Sequence, residues 1–146
     1  MLFIVFTVIS VISNGACSPP SKTFDEEKAL CKELSYDDLF KDTNRYRGWH
    51  VYYNGALLQV FEDDFFPNTY EMRAGTNGTS NDVYLKYYGD KLNAVPLYDD
   101  DNKLGSNCSR VEYVAIVQGT ETYTTISGAE RTIPLLKVIQ IRVIPW

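Results

Sequence analysis

Short runs of β-branched and aromatic residues fill the chain from Trp49 onward, and turn residues separate them. Runs of this length and composition are typical of strands in a small antiparallel β structure. The predicted strands after the first are Asn68–Thr76, Asp82–Tyr88, Arg110–Gln118 and Thr132–Val143, with Leu92–Tyr98 as a short extra strand. We expect a turn at Gly119-Thr120 and a hairpin at Ser127-Gly128-Ala129-Glu130, which lies between two β-prone runs.

The first β-rich run, Trp49–Phe61, has two interpretations. Asn54-Gly55 is a common hairpin turn, so the run could fold back on itself. Alternatively, the run is one long strand. The apolar residues before Gly55, such as Val51, and those after it, such as Val60, then have opposite parity. A one-residue bulge at Gly55 would bring both sets to the core side.

A helix-biased stretch rich in Glu, Lys, Ala and Leu, Phe24–Asp42, precedes the strands. Ser35 is a predicted N-cap, because its hydroxyl can accept a hydrogen bond from the first helical turn. Asp37 and Asp38 follow it, where the helix dipole favours acidic side chains, and Leu39 begins an apolar face. The pattern therefore predicts a mainly β protein in which one helix precedes at least five strands.

The chain begins with an apolar segment, and no charged residue occurs before Lys22. The segment is shorter than the roughly 20 residues that span a bilayer, and small residues follow it. This is typical of a secretory signal peptide, here residues 1–16, although Lys and Arg are missing from its start. Residues 17–34 would then be a tether and the start of the helix, and residues 35–146 the β domain. The alternative is a buried N-terminal strand.

The chain has three cysteines, Cys17, Cys31 and Cys108, and an odd number is unusual in an exported protein. Cys17 directly follows Gly15-Ala16 and the apolar segment, where bacterial lipoproteins carry their lipidated cysteine. Lipidation of Cys17 would leave Cys31 and Cys108 as a disulfide pair, and the alternative is two unpaired buried thiols. We expect a secreted protein, or one anchored by a lipid on the extracytoplasmic side of a membrane.

Two glycosylation sequons are present, Asn77-Gly78-Thr79 and Asn107-Cys108-Ser109. They would carry glycans only in a eukaryotic secretory pathway. Sequons also arise by chance in loops rich in Asn and Ser, and we interpret both as ordinary loops.

The net charge of −5 argues against binding to the phosphates of nucleic acid and to anionic lipid. The single histidine, His50, lies in a predicted strand without a nucleophile turn nearby, so we predict no catalytic residue and no enzymatic activity. Asp100, Asn102 and Gly105 begin a calcium-loop spacing, but Leu104 stands where a ligand belongs. The acidic runs Glu62-Asp63-Asp64 and Asp99-Asp100-Asp101 are therefore interpreted as solvated turns, and we predict neither a metal site nor a cofactor.

Four short motifs occur in order: Tyr36-Asp37-Asp38-Leu39, Tyr46-Arg47-Gly48, Gly55-Ala56-Leu57-Leu58-Gln59-Val60 and the Tyr123–Pro134 hairpin. Together they resemble the tRNA_anti-like group, the small OB-fold domains of bacterial exported proteins and lipoproteins. The resemblance covers residues 35–143 and departs from the group's pattern at residues 90–109. It implies a five-stranded OB-like barrel with an N-terminal helix, and it implies no settled activity.

Tyrosine is abundant, with eleven residues in the chain. OB barrels bind ligands on strands two and three, often by aromatic stacking, which places Tyr70, Arg73 and Tyr84 on the expected ligand surface. The alternative is that tyrosine simply suits a half-buried pleated surface. We expect an exported, non-enzymatic OB-fold module that binds a protein or a cell-envelope component. The alternative function is binding of an oligosaccharide or a single-stranded nucleic acid through the tyrosine face.

Overall fold

The computed structural model describes residues 21–62, 68–99, 103–105, 107–125 and 127–146. The predictions of a signal peptide at residues 1–16 and of lipidation at Cys17 lie outside these ranges. Within them, no helix has the length and apolar character needed to cross a membrane.

Five strands form one sheet that closes on itself as a ring. They are β1 (His50–Glu62), β2 (Thr69–Asn77), β3 (Ser80–Tyr88), β4 (Arg110–Thr124) and β5 (Glu130–Ile144). Their order around the ring is β1-β2-β3-β5-β4, and β4 pairs back onto β1. The pairings are antiparallel apart from β3 with β5, which is parallel from Tyr84 to Lys86. The prediction of a mainly β protein is confirmed.

The interior of the ring is filled by the apolar residues that alternate along each strand. The buried cluster contains Val51, Tyr53, Leu57, Met72, Ala74, Val83, Leu85, Val111, Tyr113, Ala115, Val117, Leu136 and Val138 from the strands, with Leu39 from the second helix. The Tyr113 hydroxyl is fully buried and donates to the Gly75 carbonyl at 2.9 Å, so its polar atom is satisfied inside the core.

β1 is one long strand, so the hairpin interpretation of Asn54-Gly55 is wrong. The strand pairs with β4 along its first half and with β2 along its second half. The register shift that brings Val60 toward the core lies between Leu57 and Gln59, three residues later than the predicted bulge. Gly55 instead lets the Gly75 carbonyl approach the strand, because a Cβ atom at Gly55 would collide with it.

β4 is also longer than predicted, because it continues through Gly119-Thr120 where we expected a turn. The pairing of β4 with β5 shifts register between Val117 and Gly119, and it continues beyond this shift. The predicted hairpin is confirmed. Thr125 N–H donates to the Ala129 carbonyl at 2.8 Å, and Gly128 adopts a φ of 83°.

The predicted extra strand Leu92–Tyr98 does not form. This part of the chain runs beside the β1 bulge, where the Leu97 and Tyr98 N–H groups donate to the Leu57 and Leu58 carbonyls at 2.9 and 3.0 Å. Tyr98 also makes an isolated bridge to Leu104. The end of the predicted extra strand therefore donates hydrogen bonds to the two β1 carbonyls at the register shift.

Two short helices replace the single predicted one. They are α1 (Phe24–Ala29) and α2 (Tyr36–Lys41), and a 3₁₀ turn, Thr43–Tyr46, follows α2. Ser35 is confirmed as the N-cap of α2, since its hydroxyl accepts from Asp38 N–H at 3.2 Å. The break between the helices is fixed where Lys32 N–H donates to the His50 carbonyl of β1 at 2.9 Å.

α1 belongs to the folded domain, so the fold begins before residue 35. A capping box between Thr23 and Glu26 starts this helix, and Phe24 is buried. The Arg142 guanidinium lies 4.1 Å from the Phe24 ring centre. Arg142 also pairs with Glu112, whose other carboxylate oxygen accepts from the Tyr52 hydroxyl at 2.5 Å. This cluster attaches α1 to the outer side of the sheet.

The Glu112 carboxylate makes the stability of this attachment depend on pH. Burial alone would raise the pKa of Glu112, but the hydrogen bonds from Tyr52 and Arg142 lower it below its usual value of 4.5. A lowered folded-state pKa means that the stabilisation is present above the unfolded pKa and is lost as pH falls through the folded value. When the pH is lowered from about 5 to about 3, the free energy of unfolding should therefore fall less in Glu112→Gln than in the wild type.

Urea unfolding midpoints of both proteins over this pH range provide the measurement. Glu130→Gln is the matched control, because Glu130 is exposed and should leave the wild-type pH dependence unchanged. Equal pH dependence in the wild type and Glu112→Gln would contradict the assigned role of this carboxylate.

Candidate functional site

The structure brings together two of the three predicted binding residues. Arg73 of β2 and Tyr84 of β3 are direct cross-strand partners on the outer side of the sheet. Tyr70 packs against the core instead, and it lines an apolar cavity of about 190 Å³ with Leu57 and Met72. Tyr70 and Arg73 are three positions apart, so they lie on opposite faces of the same strand.

Tyr84 does not present an open ring. Its exposed fraction is 6%, and its ring stacks on Phe61 with 5.5 Å between the ring centres. Its hydroxyl donates to the Glu71 carboxylate at 2.7 Å. Burial, and then this hydrogen bond, raise the pKa of Tyr84, so the phenol stays protonated. Tyr84 supports the outer face rather than forming a stacking platform.

Arg73 lies at the centre of a polar cleft on the outer face. One guanidinium nitrogen pairs with the Asp82 carboxylate at 2.9 Å. The guanidinium carbon lies 5.6 Å from the Tyr98 ring centre and 5.0 Å from that of Tyr123. The side chain is 13% exposed, and within the described residues its Nε has no hydrogen-bond partner. Arg73 is therefore a nearly buried cation whose Nε donor has no partner among the described residues.

Asp82 is the buried anion that organises this cleft. Its side chain is 5% exposed, and its second carboxylate oxygen pairs with Arg131 at 3.2 Å. The Tyr123 hydroxyl donates to the carboxylate at 3.2 Å, and the Tyr36 hydroxyl donates to the Asp82 backbone carbonyl at 3.1 Å. The carboxylate raises the pKa of Arg131, and burial together with Asp82 raises the pKa of Tyr36 to about 12.

The cleft has a volume of about 330 Å³ and lies between the sheet and the tip of the β4–β5 hairpin. It is lined by Gln59, Arg73, Tyr98, Tyr123, Thr124, Thr125, Ser127 and Arg131. The register shift in β1 places Gln59 here, and the long β4 brings Tyr123 back over β2 and β3. The lining can donate several hydrogen bonds, because two of its side chains are guanidinium groups with five N–H donors each.

Most of this cleft was not predicted. The sequence pattern predicts Arg73 as a binding residue, but it does not predict Asp82, Tyr98, Tyr123 or Arg131. The parity of the strands could have placed Asp82 beside Arg73 on the outer face, because β2 and β3 are joined by a short turn. Tyr98 and the hairpin tip reach the cleft through long-range contacts, for which the sequence carries no local signal.

The expected Cys31–Cys108 disulfide is not formed, and both thiols are free. The residue after Cys31 hydrogen-bonds to His50 at the start of β1, whereas the residue after Cys108 hydrogen-bonds to Leu57. These points are about 20 Å apart along an extended strand. A disulfide requires Cα atoms within about 7 Å, and attachment to opposite parts of β1 works against such an approach.

The described residues contain no group of three His, Cys, Asp or Glu side chains arranged to hold a metal ion. Asp100 and Asn102, which carried the calcium spacing, lie outside the described ranges. His50 opens β1 and is half-buried. Asn77 and Asn107, the sequon asparagines, are exposed, and the interpretation of the two sequons as unmodified stays a prediction.

Fold and cleft together define a mainly β protein with a closed five-stranded sheet and a polar cleft on its outer face. No family model and no curated protein matches the chain. One similar solved chain is described as OBody AM3L09 bound to hen egg-white lysozyme. The two chains share 12% sequence identity and a TM-score of 0.45, over 86% of this chain and 97% of that chain.

Proposed function

We propose that this protein is a non-enzymatic binding module with an OB-like barrel, and that the cleft around Arg73 binds a protein or a cell-envelope component. The strand order β1-β2-β3-β5-β4 supports the OB-like assignment and, with it, the resemblance to the tRNA_anti-like group. OB folds bind ligands over strands two and three, between the loops that flank them. The cleft lies on β2 and under the β4–β5 hairpin, which is the corresponding region.

The observation that carries this proposal is the state of Arg73. A cation that is only 13% exposed, with two tyrosine rings beside it and an Nε donor that finds no partner in the described part of the chain, is prepared to receive a ligand group. The tyrosine hydroxyls around it are neutral donors, because burial raises the pKa of Tyr123 as it does that of Tyr36. These groups suit recognition rather than proton transfer near neutral pH.

The alternative of ring stacking on sugars or bases has less support. Tyr84 is covered by Phe61, and Tyr70 packs toward the core. The Tyr98 and Tyr123 faces that point toward Arg73 are already in contact with its guanidinium. The net charge of −5 further disfavours nucleic acid.

Export is part of the same proposal. The apolar segment before Lys22 supports a signal peptide, and Gly15-Ala16-Cys17 supports a lipid anchor at Cys17. The intact mass of the mature protein tests both, because cleavage and acylation change it by known amounts. The mass of the unprocessed chain would reject export.

A site-specific crosslinker tests the binding site. We expect a photoreactive amino acid at Ser127, on the cleft rim, to give a discrete protein or envelope adduct in cells that make the protein at native level. The matched control is the same amino acid at Lys41, which is exposed on α2 and does not line the cleft. Equal adducts from both positions, or none from Ser127, would reject the cleft as the binding site.

A further inference from the structure

We infer, on the basis of the proposed function, that the cleft recognises a carboxylate group on an acidic segment of a partner protein. Two arginines, Arg73 and Arg131, share the single carboxylate of Asp82. Among the lining residues and Asp82 this leaves one positive charge in excess, on a chain whose net charge is −5. The excess charge favours an anionic ligand group.

Both arginines keep donors for such a group. A guanidinium has five N–H donors, and Arg131 is 54% exposed with one nitrogen 3.2 Å from Asp82. The Arg73 Nε is buried and unpartnered within the described residues, and a ligand oxygen would satisfy it if the side chains that cover it shift on binding. The planar fork of donors matches the two oxygens of a carboxylate.

The surroundings strengthen this contact. Arg73 is shielded by Tyr98 and Tyr123, and an ionic hydrogen bond is stronger where water is largely excluded. The hydroxyls of Thr125 and Ser127 lie 3.0 Å from each other on the rim and can hydrogen-bond to neutral groups that flank the carboxylate. The site therefore offers one ionic position surrounded by neutral polar groups.

This arrangement favours an acidic protein segment over a polyanion or an acidic sugar. A single excess charge suits isolated carboxylates, whereas nucleic acid presents a dense row of phosphates that would meet the acidic chain around the cleft. A sugar would use open aromatic faces, and the guanidinium of Arg73 covers one face of each of the two cleft tyrosines. A carboxylate needs only the donors of the two arginines.

The test is a nuclear magnetic resonance titration of the ¹⁵N-labelled full chain with a capped peptide of alternating glycine and glutamate. The comparison peptide has glutamine in place of glutamate. We expect saturable shifts of the Arg73 and Arg131 Nε–H signals with the glutamate peptide, and binding weaker by about tenfold with the glutamine peptide. Equal binding of both peptides, or no binding of either, would overturn the inference.

Two variants locate the contact. Arg131→Gln should weaken binding of the glutamate peptide by about tenfold, and its fold should persist because Arg73 still pairs with Asp82. Arg45→Gln, which removes an exposed arginine outside the cleft, should leave binding unchanged. Loss of binding in both variants would indicate general charge attraction and contradict a specific site.

The outcomes separate the inference from the proposed function. If a crosslinker at Ser127 captures a partner while the two peptides bind equally, the cleft is a binding site but not one for carboxylates. If an oligogalacturonate binds more tightly than the glutamate peptide and depends equally on Arg131, the ligand is an acidic sugar, and the assignment to a protein segment is wrong.

Discussion

Replacing Gly55 by alanine is expected to destabilise the protein by about 3 kcal/mol, a large part of the stability of an ordinary domain. A Cβ atom at Gly55 would collide with the Gly75 carbonyl and would lie 2.9 Å from the Gly78 carbonyl oxygen. Both obstacles are backbone atoms, which cannot rotate away as a flexible side chain can. The strands would have to separate to accept one methyl group.

The surrounding hydrogen bonds prevent that separation. The Gly75 carbonyl accepts from the Tyr113 hydroxyl at 2.9 Å, and the Gly78 carbonyl accepts from Ala56 N–H at 2.8 Å. Moving the β2–β3 turn outward would break both bonds and leave the buried Tyr113 hydroxyl without a partner. The cost therefore combines steric strain with a lost buried hydrogen bond.

Urea unfolding followed by circular dichroism measures the effect. Gly128→Ala is the matched control: its φ of 83° strains a side chain, but nothing lies within 4 Å of the added Cβ. It should cost about 1 kcal/mol through backbone strain alone, whereas Gly55 has no positive φ and its loss would come from the collision. A loss in Gly55→Ala no larger than that in Gly128→Ala would contradict the expected collision.

The second large effect is expected from Asp82→Asn, which should destabilise the protein by about 3 kcal/mol. The substitution keeps the shape of the side chain but removes the negative charge that both Arg73 and Arg131 contact. Arg73 is only 13% exposed, so its charge would remain largely buried without a counterion. An unpaired buried charge costs more than the pair contributes.

Arg131→Gln is the comparison that makes this prediction specific. Arg131 is 54% exposed, so solvent screens its pairing with Asp82, and its loss should cost less than about 1 kcal/mol. Thermal and urea unfolding of the two variants provide the measurement. A loss in Arg131→Gln as large as that in Asp82→Asn would mean that the exposed ion pair, and not the burial of Arg73, dominates the energetics.

Local signals in the sequence predicted most of the architecture. Strand composition, the Ser35 cap and the β4–β5 hairpin depend on neighbouring residues, and the structure confirms them. The errors occur where tertiary contacts override a local preference. Asn54-Gly55 favours a turn by itself, but pairing with β4 keeps it extended. Gly119 likewise lies inside a continuous strand.

The cleft was less predictable because its members meet only through the closed sheet. The position of Arg73 on the second strand predicts it as a binding residue. Tyr98 and Arg131 come from a linker and a hairpin that are distant from it in sequence. Strand parity could have excluded Tyr70 from the outer face, since it faces the side opposite to Arg73. The sequence predicts one helix over Phe24–Asp42, but two helices form. The hydrogen bond from Lys32 N–H to β1 that interrupts the helix is a tertiary contact, which the local sequence does not reveal.

The closed ring also limits how another chain can attach to this protein. Each strand has a neighbour on both sides, so over the paired registers the backbone N–H and C=O groups offer no template for β-augmentation or edge-to-edge aggregation. Outside these registers some segments have a strand partner on one side only: among the described strands, β4 from Gly119 to Thr124 pairs with β5 but not with β1, and β5 pairs with β3 only from Leu135 to Lys137. Backbone recruitment of a further strand is thus limited to such segments, and one of them, the β4–β5 hairpin, overhangs the cleft around Arg73.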